Sequence, residues 1–306
     1  MMTDYFPDTV CGSTVVVTEV PTDTAVDDLN RLGDLRIELN VSKGWRGGSL
    51  RFLEKFKNLK GLIIIGGDNS DIDVVQELTG LVRLDLPAGI QHSLDLSELE
   101  MLEDLYLDSV KEPINLPRNS LRKIGWYCPK QRDVDSLRKN EGLTHVGFLQ
   151  SRAEDLSVLG EFDLQYLRLA GFSKLADFSF IRNLENLRYL DVDTCKGLSS
   201  LDVVENCKEL EYLAIDNVGT IESLLPVQNC QKLKVCSFVE STNILDGKIR
   251  FLNEFSQLET VAFRERRHYD AKRADLPSMQ QLGLPIPVES ISSVCEIMNR
   301  MNNHGE

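Results

Sequence analysis

The sequence predicts an α/β solenoid, with a parallel β-sheet on the concave side and short 3₁₀ or α segments on the convex side. The first observation is a triplet of leucine-like residues at positions one, four and six of a short segment, which recurs eleven times. The second is the regular distance between copies. From Leu59 onward the first positions lie 22, 21, 19, 22, 21, 23, 23, 23 and 25 residues apart. A period in the low twenties indicates one strand and one short outer segment per coil.

The elements of one coil follow from the triplet and from what comes after it. The clearest triplets are Leu81/Leu84/Leu86, Leu102/Leu105/Leu107, Leu164/Leu167/Leu169, Leu187/Leu190/Val192 and Leu210/Leu213/Ile215. Weaker copies begin at Leu32, Leu59, Leu121, Leu143, Leu233 and Leu258. Between Leu169 and Leu187 the apolar residues recur at every third position. Because a 3₁₀-helix has three residues per turn, this spacing favours 3₁₀ segments on the convex side.

Residues 59–263 resemble the leucine-rich repeat family, specifically its short-repeat class with coils of about 22 residues and degenerate, bacterial-like repeats. The resemblance departs at the asparagine or cysteine that usually follows the last strand leucine by three residues, where only Cys195 fits. In the family that residue bonds backbone groups of adjacent coils, so its loss implies a less regular stack. Some bacterial members carry a ubiquitin-ligase domain, but the segment after the repeats is too short for one, and Cys295 is predicted to lie in a cap.

Three segments are predicted along the chain. They are an N-terminal β–α cap (1–34), the repeats (35–263) and a basic loop with a C-terminal capping helix (264–306). In the first segment we expect a strand over 14–20 and a helix from Asp23 through Leu32, since a solenoid has to cover its open ends. The amphipathic helix predicted over 289–302 has an alternative role as a partner-binding helix.

Composition narrows the function classes. The chain of 306 residues has 34 basic and 48 acidic residues, a formal charge of −14. This excess of acid disfavours nucleic acid and anionic membranes as partners and favours a basic protein. Seven scattered cysteines without a C-x-x-C pair indicate neither a disulfide framework nor a zinc site. With no signal-like start or membrane-length apolar run, we expect a cytoplasmic protein, with Cys207 and Cys230 buried.

Strand residues between the leucines are predicted to face solvent on the concave side. Tyr166, Tyr189 and Tyr212 occupy the same position in consecutive repeats, so we expect them side by side at about 5 Å. Asp193 and Asp216 share another column, an unfavourable arrangement of like charges unless it serves a function. The candidate partner-binding residues are Tyr106, His145, Tyr166, Arg168, Tyr189, Asp191, Asp193, Tyr212 and Asp216. The alternatives are tyrosines that only stabilise the sheet, or a solvated face without a partner.

The remaining sequence gives no chemistry for catalysis. There is no Gly-rich phosphate loop, and the four histidines share no metal-ligand spacing, so we predict no catalytic, cofactor-binding or metal-binding residues. The predicted function is a non-catalytic protein-interaction scaffold, monomeric, that binds a basic protein on its concave face. An alternative is an immunity or inhibitor protein that neutralises a toxin or nuclease. An enzyme using the Asp-rich face is disfavoured, because no loop has the ligand spacing of a calcium or magnesium site.

Overall fold

The computed structural model describes residues 13–277. The chain forms two compact units, and the described parts of these are residues 13–143 and residues 144–277. Each unit consists of successive coils with one strand of a parallel sheet per coil. Within the described range, no helix is both long enough and apolar enough to cross a membrane.

The described part of the N-terminal unit, residues 13–143, contains ten strands and two α-helices. In chain order the strands are β1 Ser13–Val16, β2 Leu35–Asn40, β3 Gly47–Ser49, β4 Leu59–Ile65, β5 Asp68–Ser70, β6 Arg83–Leu86, β7 Leu94–Asp95, β8 Asp104–Leu107, β9 Ile114–Asn115 and β10 Lys123–Tyr127. The α-helices are α1 Asp23–Leu29 and α2 Gln131–Ser136, and the 3₁₀ segments are Val41–Lys43, Arg51–Lys55, Ile72–Glu77 and Leu137–Lys139. Strands β1, β2, β4, β6, β8 and β10 pair in parallel in that order, while β3 pairs with β5 and β7 with β9.

The first strand and helix are both shorter than predicted. Thr22 caps α1, because its hydroxyl accepts a hydrogen bond from the Ala25 amide at 3.3 Å. The helix ends at Leu29 instead of continuing to Leu32. Its C-cap residue, Asn30, is held by the next coil, donating to the Lys55 carbonyl and accepting from the Lys57 amide, both at 2.9 Å.

Residues 144–277, the described part of the C-terminal unit, repeat the same plan with eight strands. They are β11 His145–Leu149, β12 Tyr166–Ala170, β13 Tyr189–Asp193, β14 Tyr212–Asp216, β15 Thr220–Ile221, β16 Val235–Phe238, β17 Asn243–Ile244 and β18 Thr260–Phe263. Its 3₁₀ segments are Ser157–Glu161, Ser179–Asn183, Asp202–Val204, Leu225–Asn229, Arg250–Glu254 and Arg273–Asp275. Strands β11, β12, β13, β14, β16 and β18 form a parallel sheet in that order, and β15 pairs with β17. The predicted parallel sheet with 3₁₀ outer segments is confirmed.

The core of the C-terminal unit is built from the leucine triplets. Leu167, Leu190 and Leu213 lie side by side on neighbouring strands and are almost fully buried. Each coil therefore adds one apolar layer to a continuous core, as expected for stacked repeats that cannot bury their apolar face alone. The same alternation turns the residues between the leucines toward the opposite face of the sheet.

The main-sheet strands β11, β12, β13, β14 and β16 are each followed by one residue with a left-handed backbone. The five residues have φ between 53° and 72° and are Gln150, Gly171, Thr194, Asn217 and Glu240. They recur with the period of the repeat, so the left-handed turn is a structural element of each coil. It redirects the chain from the sheet toward the convex side.

Two different residues supply the bonds between coils that the family usually takes from asparagine. The Cys195 thiol contacts the Leu169 carbonyl at 3.6 Å. In a later coil the buried Thr242 hydroxyl donates to the Ile215 carbonyl at 2.7 Å and accepts from the Val218 amide at 3.2 Å. Cys195 is at the position that the family pattern specifies, whereas Thr242 lies one residue beyond it, so the pattern did not indicate its role.

The outer segments use cysteine in the same way. Cys207 and Cys230 are fully buried, as predicted, and their thiols lie 3.7 Å from the carbonyls of Ile181 and Val204 in the preceding coils. Burial raises the pKa of each of the two thiols to about 12. Both are small core residues that also contact the backbone of a neighbouring coil.

The basic segment after β18 closes the described part of the C-terminal unit. The Arg266 guanidinium donates to the Thr242 carbonyl at 2.9 Å, and that of Arg273 donates to the Phe263 carbonyl at 2.7 Å. The Val261 amide, on β18, donates to the Pro277 carbonyl at 2.9 Å. Two arginines of the basic segment therefore form hydrogen bonds to the backbone of the last coils. The predicted helix over 289–302 lies outside the described residues.

Candidate partner-binding surface

Four aromatic side chains form a single stack on the concave face of the C-terminal unit. His145, Tyr166, Tyr189 and Tyr212 are direct neighbours in the registers of β11 to β14, and we call them the aromatic column. Their successive ring centroids are 5.9, 4.3 and 4.2 Å apart, with interplanar angles of 13°, 9° and 7°. The predicted side-by-side arrangement of the three tyrosines is confirmed, and His145 extends it by one ring.

The column is less exposed than the sequence suggested. Tyr166 is only 7% exposed, while His145, Tyr189 and Tyr212 are half-buried. Tyr189 is stacked on both faces, so it presents chiefly its ring edge and hydroxyl to a partner. Tyr212 is stacked on one face only, because its register partner on β16 is Val235. Burial is the main reason why the pKa values of these two phenols are raised. Both therefore stay protonated and can donate hydrogen bonds at neutral pH.

A buried ion pair lies beside the column, formed by two residues that were predicted to face solvent. Arg168 on β12 and Asp191 on β13 are register partners, each only 3% exposed. The Arg168 Nε atom lies 3.4 Å from Asp191 Oδ2. The prediction that these two residues face solvent was wrong, because neighbouring side chains on the same face pack closely enough to exclude water.

The environment of Asp191 opposes its ionisation. Burial raises the pKa of its carboxyl to about 6, and the nearby carboxylates of Asp216 and Asp193 act in the same direction. The Arg168 guanidinium acts against them and keeps the pKa from rising further. Asp191 therefore titrates close to neutral pH instead of near 4.

The two aspartates at the strand ends have different surroundings. Asp193 and Asp216 are register partners at the ends of β13 and β14, as predicted. Asp216 Oδ1 accepts hydrogen bonds from the Ser237 hydroxyl and the Val239 amide, both at 2.9 Å. Asp216 thus holds the end of the next strand, which gives it a structural role as well as a candidate binding role. Asp193 accepts a bond from the neighbouring Thr194 hydroxyl at 2.7 Å.

A row of alternating charges, which was not predicted from the sequence, lies next to the column at the start of the strands. Arg188, Glu211 and Lys234 immediately precede the strand positions of Tyr189, Tyr212 and Val235. Glu211 forms ion pairs with Arg188 and with Lys234, the latter at 2.6 Å. The charges in this row largely cancel, so the acidic character of the face is concentrated at the carboxyl ends of the strands. The alternation of sign at the repeat period was the signal for it.

Tyr106 belongs to the N-terminal unit and is buried, at 4% exposure, instead of facing solvent as predicted. The Arg83 guanidinium carbon lies 4.7 Å from the centre of its ring. Arg83 in turn donates to both oxygens of Asp85, at 3.0 and 3.2 Å, and the Lys123 ammonium lies 3.7 Å from Asp104. The corresponding face of this unit is thus a packed network of paired charges, and it offers a partner less aromatic surface than β12 to β14.

Among residues 13–277, no cluster of three or more histidine, cysteine or acidic side chains is arranged to hold a metal ion. The chemistry available on the concave face of the C-terminal unit is therefore contact and recognition: aromatic area, phenolic hydroxyls and carboxylates. These are common constituents of protein interfaces.

Comparison of the sequence with protein-family models and with curated proteins finds no match. Solved structures do match. An internalin of Listeria monocytogenes has a TM-score of 0.57 at 18% identity, over 84% of this chain and 76% of the internalin chain. A leucine-rich repeat protein of Leptospira interrogans matches with a TM-score of 0.48 at 14% identity, over 90% of this chain and 73% of its own.

A third match is the ectodomain of the Arabidopsis thaliana receptor kinase GASSHO1/SCHENGEN3, with a TM-score of 0.45 at 18% identity. It covers 76% of this chain and 35% of that ectodomain. At these identities the likeness concerns the fold, and the internalin match carries it. Together with the triplets, the parallel sheets and the 3₁₀ outer segments, it shows that this chain has the leucine-rich repeat fold.

Proposed function

We propose that the chain is a non-catalytic protein-binding scaffold whose docking surface is the concave face of the C-terminal unit. The observation that carries this proposal is the aromatic column. Three tyrosines and a histidine are stacked in register on the face opposite the core. Tyrosine offers a large contact area with few rotatable bonds, which is why it is common among the residues that dominate binding energy.

Charge supports a basic partner. The chain carries a formal charge of −14, and on this face Asp193 and Asp216 lie at the strand ends without an ion pair to a lysine or arginine among the described residues. Such a field speeds the approach of a positively charged protein more than it strengthens the final complex. An inhibitor that covers a basic toxin or nuclease is one form of this function, and the charge is the observation that favours it.

Site-specific photo-crosslinking tests the location of the docking surface. A photoreactive phenylalanine analogue replaces Tyr189 in one variant and the exposed Gln228, on the convex 3₁₀ segment Leu225–Asn229, in a matched control. After irradiation in lysate of the source organism, mass spectrometry identifies the captured proteins. We expect one protein to be captured from position 189 and absent from position 228. Capture of the same protein only from position 228 would show that the concave face is not the docking surface.

A further inference from the structure

The aromatic column ends abruptly at Tyr212. On the next strand its register partner is Val235, and after that Thr260. A valine side chain ends at its γ carbons, whereas a tyrosine extends through a ring and a hydroxyl. Because neighbouring strands are about 4.8 Å apart, the space beside Tyr212 has the width of one stacked planar group. The stack therefore ends at β14, although the sheet continues through β16 and β18.

The floor of this space consists of short side chains. Val235 and Ser237 on β16 face the same side, and their register partners on β18 are Thr260 and Ala262. Two strands that could each have carried a large residue carry small ones at both positions. We call the space bounded by Tyr212, Asp216, Val235, Ser237, Thr260 and Ala262 the β16 slot.

One carboxylate borders the β16 slot. Asp216 leans from β14 toward β16, since it accepts hydrogen bonds from the Ser237 hydroxyl at 2.9 Å and the Val239 amide at 2.9 Å. Its second oxygen, Oδ2, accepts only from the Ser237 hydroxyl, at 3.2 Å, among the described residues, so it can accept a further hydrogen bond. Lys234, which immediately precedes Val235, is ion-paired with Glu211 at 2.6 Å.

We infer that the β16 slot receives an arginine side chain of the protein partner, with its guanidinium stacked on the outer face of Tyr212. This inference rests on the proposed function and specifies the partner's chemistry. A guanidinium is planar, so it fits the width of one ring, and it stacks on aromatic faces. Its N–H donors match the carboxylate of Asp216 at the border of the slot.

Charge complementarity selects arginine over an aromatic side chain. Asp191, Asp193 and Asp216 lie on this part of the face, and Asp191 is paired with Arg168. Asp216, at the border of the slot, forms no ion pair among the described residues and accepts hydrogen bonds only from Ser237 and Val239. A lysine would satisfy the charge, but its compact ammonium cannot stack.

A titration with small probes tests the slot directly. The probes are N-acetyl-arginine amide and N-acetyl-lysine amide, and the readout is the NMR signal of the Tyr212 ring in protein with labelled tyrosine. We expect a saturable shift with the arginine probe at millimolar concentration and affinity at least about threefold weaker for the lysine probe. Such a ratio corresponds to about 0.7 kcal/mol. Equal shifts with the two probes, or no shift of the Tyr212 ring, would overturn the inference.

Val235→Tyr supplies the matched variant. The new ring takes the position that its register partners occupy on three preceding strands, so the variant continues an existing stack and fills the slot. We expect it to lose the arginine probe, while Val235→Ile retains it. Should Val235→Tyr fail to fold, Tyr212→Leu removes the stacking face. Binding to this variant is followed by saturation transfer to the NMR signals of the arginine probe itself, and we expect the transfer seen with wild type to be lost. Arginine binding that persists in the folded variant contradicts the inference.

The same variants separate this inference from the proposed function. If Val235→Tyr binds the crosslinked partner as wild type does while Tyr189→Ala does not, the concave docking surface stands and the arginine slot is wrong. If the slot takes the arginine probe but Tyr189→Ala leaves partner binding unchanged, the docking surface is wrong.

Discussion

At the scale of single residues, the most unusual group is Asp191. A carboxyl with 3% exposure is costly to ionise, and the only basic side chain paired with it among the described residues is Arg168. The pair joins two adjacent strands and lies beside the tyrosines of the aromatic column. The two residues can be tested separately. Asp191 determines how the stability depends on pH, and Arg168 lowers the free-energy cost of burying the Asp191 carboxylate.

Asp191→Asn is expected to change the pH dependence of stability. The folded-state pKa of about 6 lies above the usual 3.8, so between these values the folded chain binds more protons than the unfolded chain. Through this group, stability falls as the pH rises from 4 to 6.5, by on the order of 3 kcal/mol. The variant should lose this component of the slope in urea unfolding measured across that range. Parallel pH profiles for wild type and variant would show that Asp191 does not titrate there.

Arg168→Met is expected to destabilise the fold by about 3–5 kcal/mol at pH 7.5, because it leaves the Asp191 carboxylate buried without its counter-charge. Adding Asp191→Leu to the same chain should recover most of the loss. Urea unfolding of both single variants and the double variant measures the coupling. A double variant no more stable than Arg168→Met would contradict the ion-pair interpretation.

At the scale of elements, each coil is tied to its neighbours by a few buried bonds as well as by the leucine core. Thr242 shows this most clearly, since its hydroxyl donates to one backbone carbonyl and accepts from one amide of the preceding coil. Cys195, Cys207 and Cys230 approach carbonyls of preceding coils through their thiols. The bonds that a regular asparagine makes in the family are therefore made here by cysteine in some coils and by threonine in another.

Thr242→Val keeps the shape of the side chain and removes both hydrogen bonds. The Val218 amide is then left without this buried acceptor, so we expect a loss of about 2 kcal/mol in the free energy of unfolding. Thr220→Val is the matched control, because Thr220 is exposed on β15, and it should change stability by less than about 0.5 kcal/mol. Equal effects of the two substitutions would show that the buried bonds contribute little.

The fold and the alignment of side chains on the concave face could be predicted from the sequence, whereas their burial could not. The triplets predicted the strands, their parallel order and the alignment of Tyr166, Tyr189 and Tyr212, because the strand period and the repeat period are both fixed by backbone geometry. Burial was not predictable. Alternation assigns a side chain to a face but does not reveal how closely its neighbours in other repeats pack against it. Arg168, Asp191 and Tyr106 were therefore placed in solvent.

Bonds between coils were also beyond the sequence pattern. Thr242 lies one position away from the place where the family carries asparagine, and Asp216 bonds to Ser237 and Val239, 21 and 23 residues later. Nothing local to Asp216 indicates that contact. The like-charge column of Asp193 and Asp216 was correctly aligned, but its interpretation as purely functional overlooked that one carboxylate holds the next strand.

At the scale of the whole molecule, cysteine reactivity reports on the integrity of the described coils. Burial raises the pKa of Cys195, Cys207 and Cys230 to about 12 and also raises that of Cys236. Cys128 is half-buried. Reactive cysteines need an accessible thiolate, so four of these five thiols should be inert in the native state.

Alkylation followed by peptide mass spectrometry measures this reactivity. In native buffer, Cys128 should be modified well before the other four described cysteines, and all five should react in denaturant. Because Cys195, Cys207, Cys230 and Cys236 lie in three successive coils, their protection should disappear together if the C-terminal unit unfolds cooperatively. Rapid native labelling of Cys207 or Cys230 would contradict the packing of the outer segments.

The most direct measurement of the central claim is the affinity of the crosslinked partner for a Tyr189→Ala/Tyr212→Ala double variant. If the concave face of the C-terminal unit is the docking surface, affinity should fall at least about 30-fold, equivalent to ~2 kcal/mol. The control Gln228→Ala should bind within about twofold of wild type, and thermal unfolding should show that both variants are folded. An unchanged affinity for the folded double variant, with binding lost instead on replacing Arg267 and Lys272 by alanine, would place the site on the basic segment after β18 and contradict the claim.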